Sequence, residues 1–241
     1  MSSGDSMDRA AGQDPSRQQP TLALTQERLA EAARYAVLGR LSPMLRHEVA
    51  GALQPLRMVA AMLQRRLEAA VLDKVAIAKN VSAIDVLTKE AAAHCMGAMN
   101  WLVPKDEDSV SVQAGVQELL TLTATELFLH GLVGVNAVPD GEARFPRTFF
   151  RSIFAAALLA LCDSSDGAAS VHVELLNLNG DVDLRLRVAR DAFAPAAQPV
   201  QRQRRLDWDD VRVLAAAAGL AFAQGEEGVS LRLPPQSASG A

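Results

Sequence analysis

One histidine and the glutamate that follows it are the residues of this sequence best placed to do chemistry. Around His47 the apolar residues recur three or four positions apart, as on one face of an amphipathic helix. At about 100° per residue, His47 points away from that apolar stripe and toward solvent. An exposed imidazole with the carboxylate of Glu48 beside it can act as a nucleophile near neutral pH. The stripe consists of Leu38, Leu41, Leu45, Val49, Ala52, Leu56, Val59 and Leu63.

The same segment resembles the phospho-acceptor helix of sensor histidine kinases, which reads LGRLAAGVAHEINNPLQ. Here LGRL stands at 38–41, HEV at 47–49 and LQ at 53–54, without a gap. The resemblance implies that His47 is the phospho-accepting residue and that Glu48 is its acid–base partner. It also implies a helical hairpin that doubles into a dimeric four-helix bundle. In the family a polar residue four positions after the histidine positions a water for phosphatase activity; Gly51 replaces it here, so phosphatase activity is not expected.

Five residues within about three helical turns of His47, on the same face, are candidates for a partner-binding surface. Glycine allows a partner to approach closely, and exposed methionines suit an adaptable contact surface. The alternative is that this face is an ordinary helix exterior. The candidates are Arg40, Met44, Gly51, Gln54 and Met58.

Composition and charge exclude several classes of protein. The net charge of −4 argues against a nucleic-acid partner. No apolar run reaches the roughly 18 residues of a membrane-spanning helix, and the N-terminal residues lack the apolar core of a signal peptide. We therefore expect a cytoplasmic protein that has no membrane partner.

The composition changes along the chain and predicts two domains of an α+β protein. The first is an antiparallel helical hairpin that forms a dimeric four-helix bundle, and the second is a degenerate GHKL-like α/β sandwich. The predicted boundaries are a disordered tail at 1–22, the hairpin at 23–103, a linker at 104–109, the kinase-like domain at 110–234 and a disordered tail at 235–241.

Two long helices make up the predicted hairpin. The first runs from an N-cap at Thr25 to Glu68, and a turn follows at 69–73. Pro43 and Pro55 each remove one hydrogen-bond donor on either side of His47, so we expect local bending there. The second helix carries a stripe of Ile77, Val81, Ile84, Leu87, Ala91, Cys95, Ala98 and Leu102.

The layout after 109 resembles the ATP-binding domain of the same kinases. Asn179 and Gly180 stand between two alternating segments and predict a β-hairpin. Gly219 is a suitable residue just after a helix. The predicted elements are a strand at 110–112, a helix at 114–130, a strand at 132–137, a helix at 147–163, strands at 170–178 and 182–189, a helix at 207–218 and strands at 220–224 and 229–233.

The residues that bind nucleotide in that family are replaced here. Ala156 and Ala160 stand where the resemblance places two asparagines, of which the second holds Mg²⁺, and a methyl group offers no ligand to a hard cation. Asp191 is the candidate, by the same resemblance, for the acid that recognises adenine, but Phe193 and Pro195 replace the glycines after it. The glycine-rich phosphate loop is replaced by LDWDD at 206–210, whose carboxylates we interpret as a helix cap. ATP-driven autophosphorylation is therefore not expected.

Three functions remain open at the level of sequence. The leading hypothesis is a histidine phosphotransferase that passes a phosphoryl group between response-regulator receiver domains through His47. In that case this chain binds no cofactor, and the receiver supplies the Mg²⁺. The alternatives are a non-catalytic pseudokinase scaffold and a divergent active histidine kinase. His94, His130 and His172 have neither a matching acid nor metal-ligand spacing and are interpreted as structural.

Overall fold

The computed structural model describes residues 15–102, 109–141, 143–165, 167–178, 181–191, 193–198, 204–225 and 228–233. The chain begins with two long antiparallel helices, α1 (Pro15–Leu67) and α2 (Lys74–Leu102). The turn between them falls where the sequence predicts it. The predicted tail at 235–241 and most of the predicted linker lie outside the described residues.

Helix α1 begins ten residues before the predicted N-cap, Thr25, so part of the predicted disordered tail is helical. Its first residue is Pro15, and proline is well tolerated at the first helical position because that N–H has no partner within the helix. The helix is continuous through Pro43 and Pro55, both of which are exposed. The second helix, α2, is capped by Asp73, whose Oδ1 accepts a hydrogen bond from the Ala76 N–H at 3.0 Å.

The two helices pack against each other along their predicted apolar stripes. Every residue of the α1 stripe is buried or half-buried, with Leu41 and Leu45 in the core. On α2 the stripe is buried at Ala91 and half-buried at most other positions. Val81 and Leu102 are the exceptions, with exposed fractions of 53% and 56%. Most residues of the α2 stripe are therefore at least partly buried, as predicted, but two of its apolar side chains stay exposed.

An α/β sandwich follows the hairpin. Its elements are β1 (Ser109–Ser111), α3 (Val112–Leu129), β2 (Leu132–Asn136), β3 (Arg144–Pro146), α4 (Arg147–Phe149), a π-helical turn (Phe150–Phe154), α5 (Ala155–Ser164), β4 (Ala169–Leu178), β5 (Asp181–Arg190), α6 (Trp208–Ala217), β6 (Ala221–Gly225) and β7 (Gly228–Leu233). Among the described residues the main sheet has five strands in the order β2-β4-β5-β7-β6; β2 and β4 are parallel, and the other neighbouring strands are antiparallel. Two short strands, β1 and β3, pair separately; the sequence did not predict β3.

Alternation along the strands sends one set of side chains into the core. Val171 and Val173 of β4 oppose Val188 and Leu186 of β5, and this face is covered by the helices. The predicted strands at 170–178 and 182–189 are confirmed, while the turn residues between them lie outside the described residues. Gly219 follows α6 with a φ of 68°, as its predicted place after the helix requires.

The N-terminal half of α1 packs against the helix layer of the sandwich. It contacts α3, α5 and α6, and its apolar side chains join the same core as theirs. The α+β class, with a helical hairpin followed by a helix-covered mixed sheet, is confirmed. Dimerisation into a four-helix bundle stays a prediction. The side chains of α1 in the shared core are Ala33, Val37, Leu41 and Leu45.

Candidate functional site

His47 lies in the middle of α1 with an exposed side chain, as its position off the apolar stripe predicts. It borders a groove of about 1120 Å³ between the hairpin and the sandwich. One wall is made by residues of α1 and α2, including His94 and Trp101. The other is made by α3 and the start of the α4–α5 region. A partner that reached His47 through this groove would therefore touch both parts of the molecule.

Glu48 is held by the second helix of the hairpin. Its Oε1 lies 3.2 Å from Nδ1 of His94, and both side chains are about half exposed, at 47% and 46%. Because an ionised carboxylate only accepts hydrogen bonds, Nδ1 of His94 carries the proton in this contact. The prediction that His94 has no matching acid was therefore wrong. The two residues lie 46 positions apart, so only the packing of α1 on α2 reveals the pair.

Four of the five predicted partner-binding residues stay near an open surface. Gly51, Gln54 and Met58 are exposed, Met58 to 61%. Met44 is half-buried; it lines the groove beside His47 and packs against the core. Their binding role is untested and stays a prediction.

Arg40 is not on the exposed surface, which corrects the sequence-based expectation. Its guanidinium points into the sandwich, with Nη1 2.6 Å from Oδ2 of Asp163 and Nη2 2.5 Å from Oε1 of Glu126. The Arg40 side chain is 10% exposed. Arg40 precedes His47 by two helical turns and shares its angular face, but at that height α3 and α5 cover the face.

These charges change one another's proton affinity. Burial works to lower the pKa of Arg40, but the hydrogen bonds and charges of Asp163 and Glu126 outweigh it and raise that pKa above its usual value. The pKa of Glu126 is lowered, first by its hydrogen bond with His130 and then by Arg40, against the opposing effect of burial. The carboxylate and the guanidinium are both ionised at neutral pH.

His130 extends the same network into the core of the sandwich. Nε2 lies 3.3 Å from Oε1 of Glu126, and Nδ1 lies 2.5 Å from the carbonyl oxygen of Cys162. The prediction that His130 is structural fits this place, but the statement that it lacks a matching acid was wrong. Glu126 and His130 are four residues apart on one helix, a spacing from which the pair could have been predicted.

A second ion-pair cluster forms the far wall of the groove. Glu118 of α3 binds both Arg147 and Arg151, with Nη2 of Arg151 2.7 Å from Oε1. Arg151 also donates to the carbonyl oxygen of Asn100 at 2.7 Å and lies over the Trp101 ring, 4.9 Å from its centroid. Since carbonyls at the end of α2 have no partner within that helix, Arg151 both caps α2 and ties it to the sandwich. No motif in the sequence pointed to this cluster.

Two of the positions that would bind nucleotide by resemblance are buried in the core, and the acid at a third has partners within the chain. Ala156 and Ala160 are 0% and 1% exposed, within a core that includes α1. Both carboxylate oxygens of Asp191 have partners: Oδ2 accepts from Ser170 Oγ at 2.6 Å, and Oδ1 from the Phe193 N–H at 2.9 Å. These two hydrogen bonds, that of Ser170 first, lower the pKa of Asp191.

The carboxylates before α6 form a helix cap, as the sequence analysis interpreted them. Asp207 Oδ1 accepts from the N–H groups of Asp209 and Asp210 at 3.0 and 2.9 Å. The Asp210 carboxylate accepts a hydrogen bond from the Asp207 N–H and also forms an ion pair with Arg204. The negative charges of these carboxylates lie at the N-terminus of α6 and stabilise the helix through its dipole.

Among the described residues, no three His, Cys, Asp or Glu side chains gather as metal ligands would. None of the helices in the described ranges combines the length and apolar character needed to cross a bilayer.

A histidine-bearing helical hairpin joined to a helix-covered sheet is thus the architecture of the described residues, and the solved structures similar to it include histidine kinases. AdeS of Acinetobacter baumannii is 12% identical over 76% of this chain and 98% of its own, with a TM-score of 0.42. A histidine kinase of Burkholderia phymatum is 12% identical over 80% and 96%, with a TM-score of 0.40. The kinase ThkA, solved in complex with the response regulator TrrA, is 14% identical over 89% and 66%, with a TM-score of 0.35.

No protein-family model matches the sequence, and no curated protein matches it either. Identities and TM-scores as low as those of the solved structures carry no conclusion about activity.

Proposed function

We propose that the chain is a histidine phosphotransferase of two-component signalling, in which His47 accepts a phosphoryl group from one receiver domain and passes it to another. The observation that carries the proposal is a contrast within one molecule. His47 lies exposed on an open groove beside Glu48 and His94. Ala156 and Ala160, at the positions of the family's nucleotide ligands, are buried in the core.

The proposed reaction is a reversible exchange between two phosphorylated side chains. The Nε2 lone pair of His47 attacks the phosphorus of an aspartyl phosphate, a P–N bond forms, and the P–O bond to the aspartyl carboxylate breaks. The carboxylate leaves with the bonding electron pair. The Nδ1 proton of the imidazole must then go to a base, and the carboxylate of Glu48 is the adjacent acceptor. The reverse sequence charges a second receiver, and positioning supplies most of the catalysis.

Packing of α1 over the sandwich supports the part of the proposal that excludes ATP. A nucleotide pocket needs polar ligands facing a cavity, whereas the apolar side chains of Ala155–Cys162 in α5 are buried in a core to which α1 contributes. The Mg²⁺ that phosphoryl transfer requires would come from the receiver. The exposed Gly51, Gln54 and Met58 continue the surface around His47 and are the proposed contacts for the receiver.

Dimerisation through the hairpin is part of the same proposal. A single copy leaves many large apolar side chains of α1 and α2 exposed, and contiguous surfaces of this kind usually mark an interface. A second copy of the hairpin would cover them in a four-helix bundle. They include Leu53, Met62, Val75, Val81, Val86, Met96, Met99 and Leu102.

Incubation of the purified protein with candidate phosphorylated receivers tests the transfer. We expect acid-labile, base-stable phosphate at His47, absent from His47→Gln and retained in a matched exposed-residue control, Gln64→Ala on the same helix. The proposal is wrong if the phosphate stays on the receiver whichever donor is offered. Labelled ATP added without a partner should give no label at His47, and label there would identify an active kinase instead.

A pseudokinase scaffold is the second candidate, favoured by the same burial of Ala156 and Ala160. The two functions differ in their need for the imidazole. If His47→Gln retains receiver binding and full signalling in cells, the scaffold is correct. If it retains binding but loses both phosphate acceptance and signalling, the relay is correct.

A further inference from the structure

The contact between Glu48 and His94 joins the two helices of the hairpin beside His47. On a helix, adjacent residues diverge by about 100°, so Glu48 does not face His47 by virtue of sequence position. Its carboxylate stands on a flexible stem that is 47% exposed. Side chains of this kind lose substantial rotamer freedom when they are fixed. The hydrogen bond from His94, on the neighbouring helix, is the contact that restricts this carboxylate.

We propose that His94 is a positioning residue: its Nδ1–H restrains the Glu48 carboxylate in the groove that His47 also lines, and thereby sets the rate at which His47 gains and loses its phosphoryl group. The proposal deepens the proposed function and rests on it. In the proposed transfer, the Glu48 carboxylate must accept the Nδ1 proton of His47 when the P–N bond has formed. A carboxylate already restrained at Oε1 by His94 has less freedom to lose at that moment.

The other charged groups around the groove have partners of their own. On the sandwich side, Glu118 binds Arg147 and Arg151, and Glu126 binds Arg40 and His130. They are fixed within the sandwich or between it and the hairpin. The His94–Glu48 contact, by contrast, lies within the hairpin and beside the nucleophile. This arrangement assigns the orientation of Glu48 to His94.

Two replacements of His94 separate positioning from general structural support. His94→Asn keeps an N–H donor at about the place of Nδ1, whereas His94→Leu removes it and keeps the volume. We expect His94→Leu to slow phosphorylation of His47 at least about tenfold, since small misplacements of a reacting group have effects of this size. His94→Asn should stay within a few-fold of the unchanged protein. Circular dichroism and sedimentation would check that fold and oligomeric state are preserved.

A double-mutant cycle with Glu48→Gln shows whether His94 acts through Glu48. The rates are those of His47 phosphorylation by a phosphorylated receiver and, without any partner, by phosphoramidate. We expect His94→Leu to have no further effect once Glu48→Gln is present. Equal losses for the Leu and Asn variants, an unchanged rate for His94→Leu, or additive losses in the double variant would each overturn the proposal.

A readout that needs no phosphoryl transfer separates failure of this inference from failure of the proposed function. The rate at which diethyl pyrocarbonate modifies His47, resolved by peptide mass spectrometry, reports the reactivity of its imidazole. If His94→Leu and Glu48→Gln change this rate non-additively while no donor phosphorylates His47, the pair acts on His47 but the relay is wrong. If His47 is phosphorylated and neither rate depends on His94, the relay stands and the positioning role is wrong.

Discussion

Nη1 of Arg40 lies 2.6 Å from Oδ2 of Asp163, although the two residues are 123 positions apart in the chain. Nη2 of the same guanidinium reaches Glu126. One side chain of α1 thus binds both α3 and α5. The Asp163 carboxylate also accepts from the Leu206 N–H at 2.8 Å, which brings the loop before α6 into the network. Arg40 therefore fixes the hairpin on the sandwich and, with it, the width of the groove beside His47.

Replacing Arg40 with methionine should destabilise the protein strongly. The Asp163 side chain is only 2% exposed, and removing one partner leaves a charge without compensation in the interior. Losses of about 3–5 kcal/mol are typical of such changes. Chemical denaturation would measure it, with Arg46→Met, an exposed change on the same helix, as a control expected within about 0.5 kcal/mol. Equal stability of the two variants would contradict the assigned role of Arg40.

Acid should weaken the protein partly through Glu126. The hydrogen bond with His130 and the charge of Arg40 lower its pKa in the folded state, so the unfolded state binds a proton first as pH falls. The stabilisation is therefore complete above the ordinary glutamate pKa of about 4.3 and is lost as pH falls through the lower folded value. Urea unfolding between neutral pH and about pH 3 should show a shallower acid dependence for Glu126→Gln. Glu90→Gln, at an exposed site of α2, should keep the slope of the unchanged protein.

Replacing Ala160 with asparagine, the residue that the resemblance places there, should destabilise the protein and should not create nucleotide binding. Ala160 is 1% exposed within an apolar core, and an amide buried there without partners costs about 1–3 kcal/mol. Thermal unfolding would show the loss. Ala216→Asn, at an exposed position of α6, would report the helix-propensity cost alone, below about 0.7 kcal/mol. Undiminished stability together with new nucleotide binding in Ala160→Asn would show that the nucleotide pocket remains available.

A charge on the exposed apolar side of α2 should dissociate the proposed dimer. Val81 lies on the predicted stripe, yet it is 53% exposed in a single copy. In a bundle, Val81→Glu would bury a carboxylate without a partner, so sedimentation should shift toward the monomer. Val71→Glu, in the loop between the helices and 84% exposed, is the matched control. A Val81→Glu protein that sediments as the unchanged one does would exclude this surface as the interface.

Local patterns in the sequence determined much of the structure. Three-and-four spacing predicted the hairpin and the exposure of His47, because the period of a helix fixes which residues share a face. Asp207 and Gly219 marked the ends of α6 through capping rules that depend on a few neighbouring residues. The start of α1 was misplaced, since Pro15 begins a helix well before the stronger cap signal at Thr25.

Only the tertiary structure decided which of those surfaces face solvent and which polar groups meet. Arg40 and His47 share one helical face, yet α3 and α5 cover the first and leave the second open. The pairs of Glu48 with His94 and of Arg40 with Glu126 cross 46 and 86 positions of sequence. Such contacts depend on how whole elements pack, and helical periodicity carries no information about that. The sequence by itself thus identified an exposed histidine and two alanines where the resemblance places asparagines. The packing of α1 decided that His47 borders a groove, that Glu48 is restrained, and that Ala156 and Ala160 are buried.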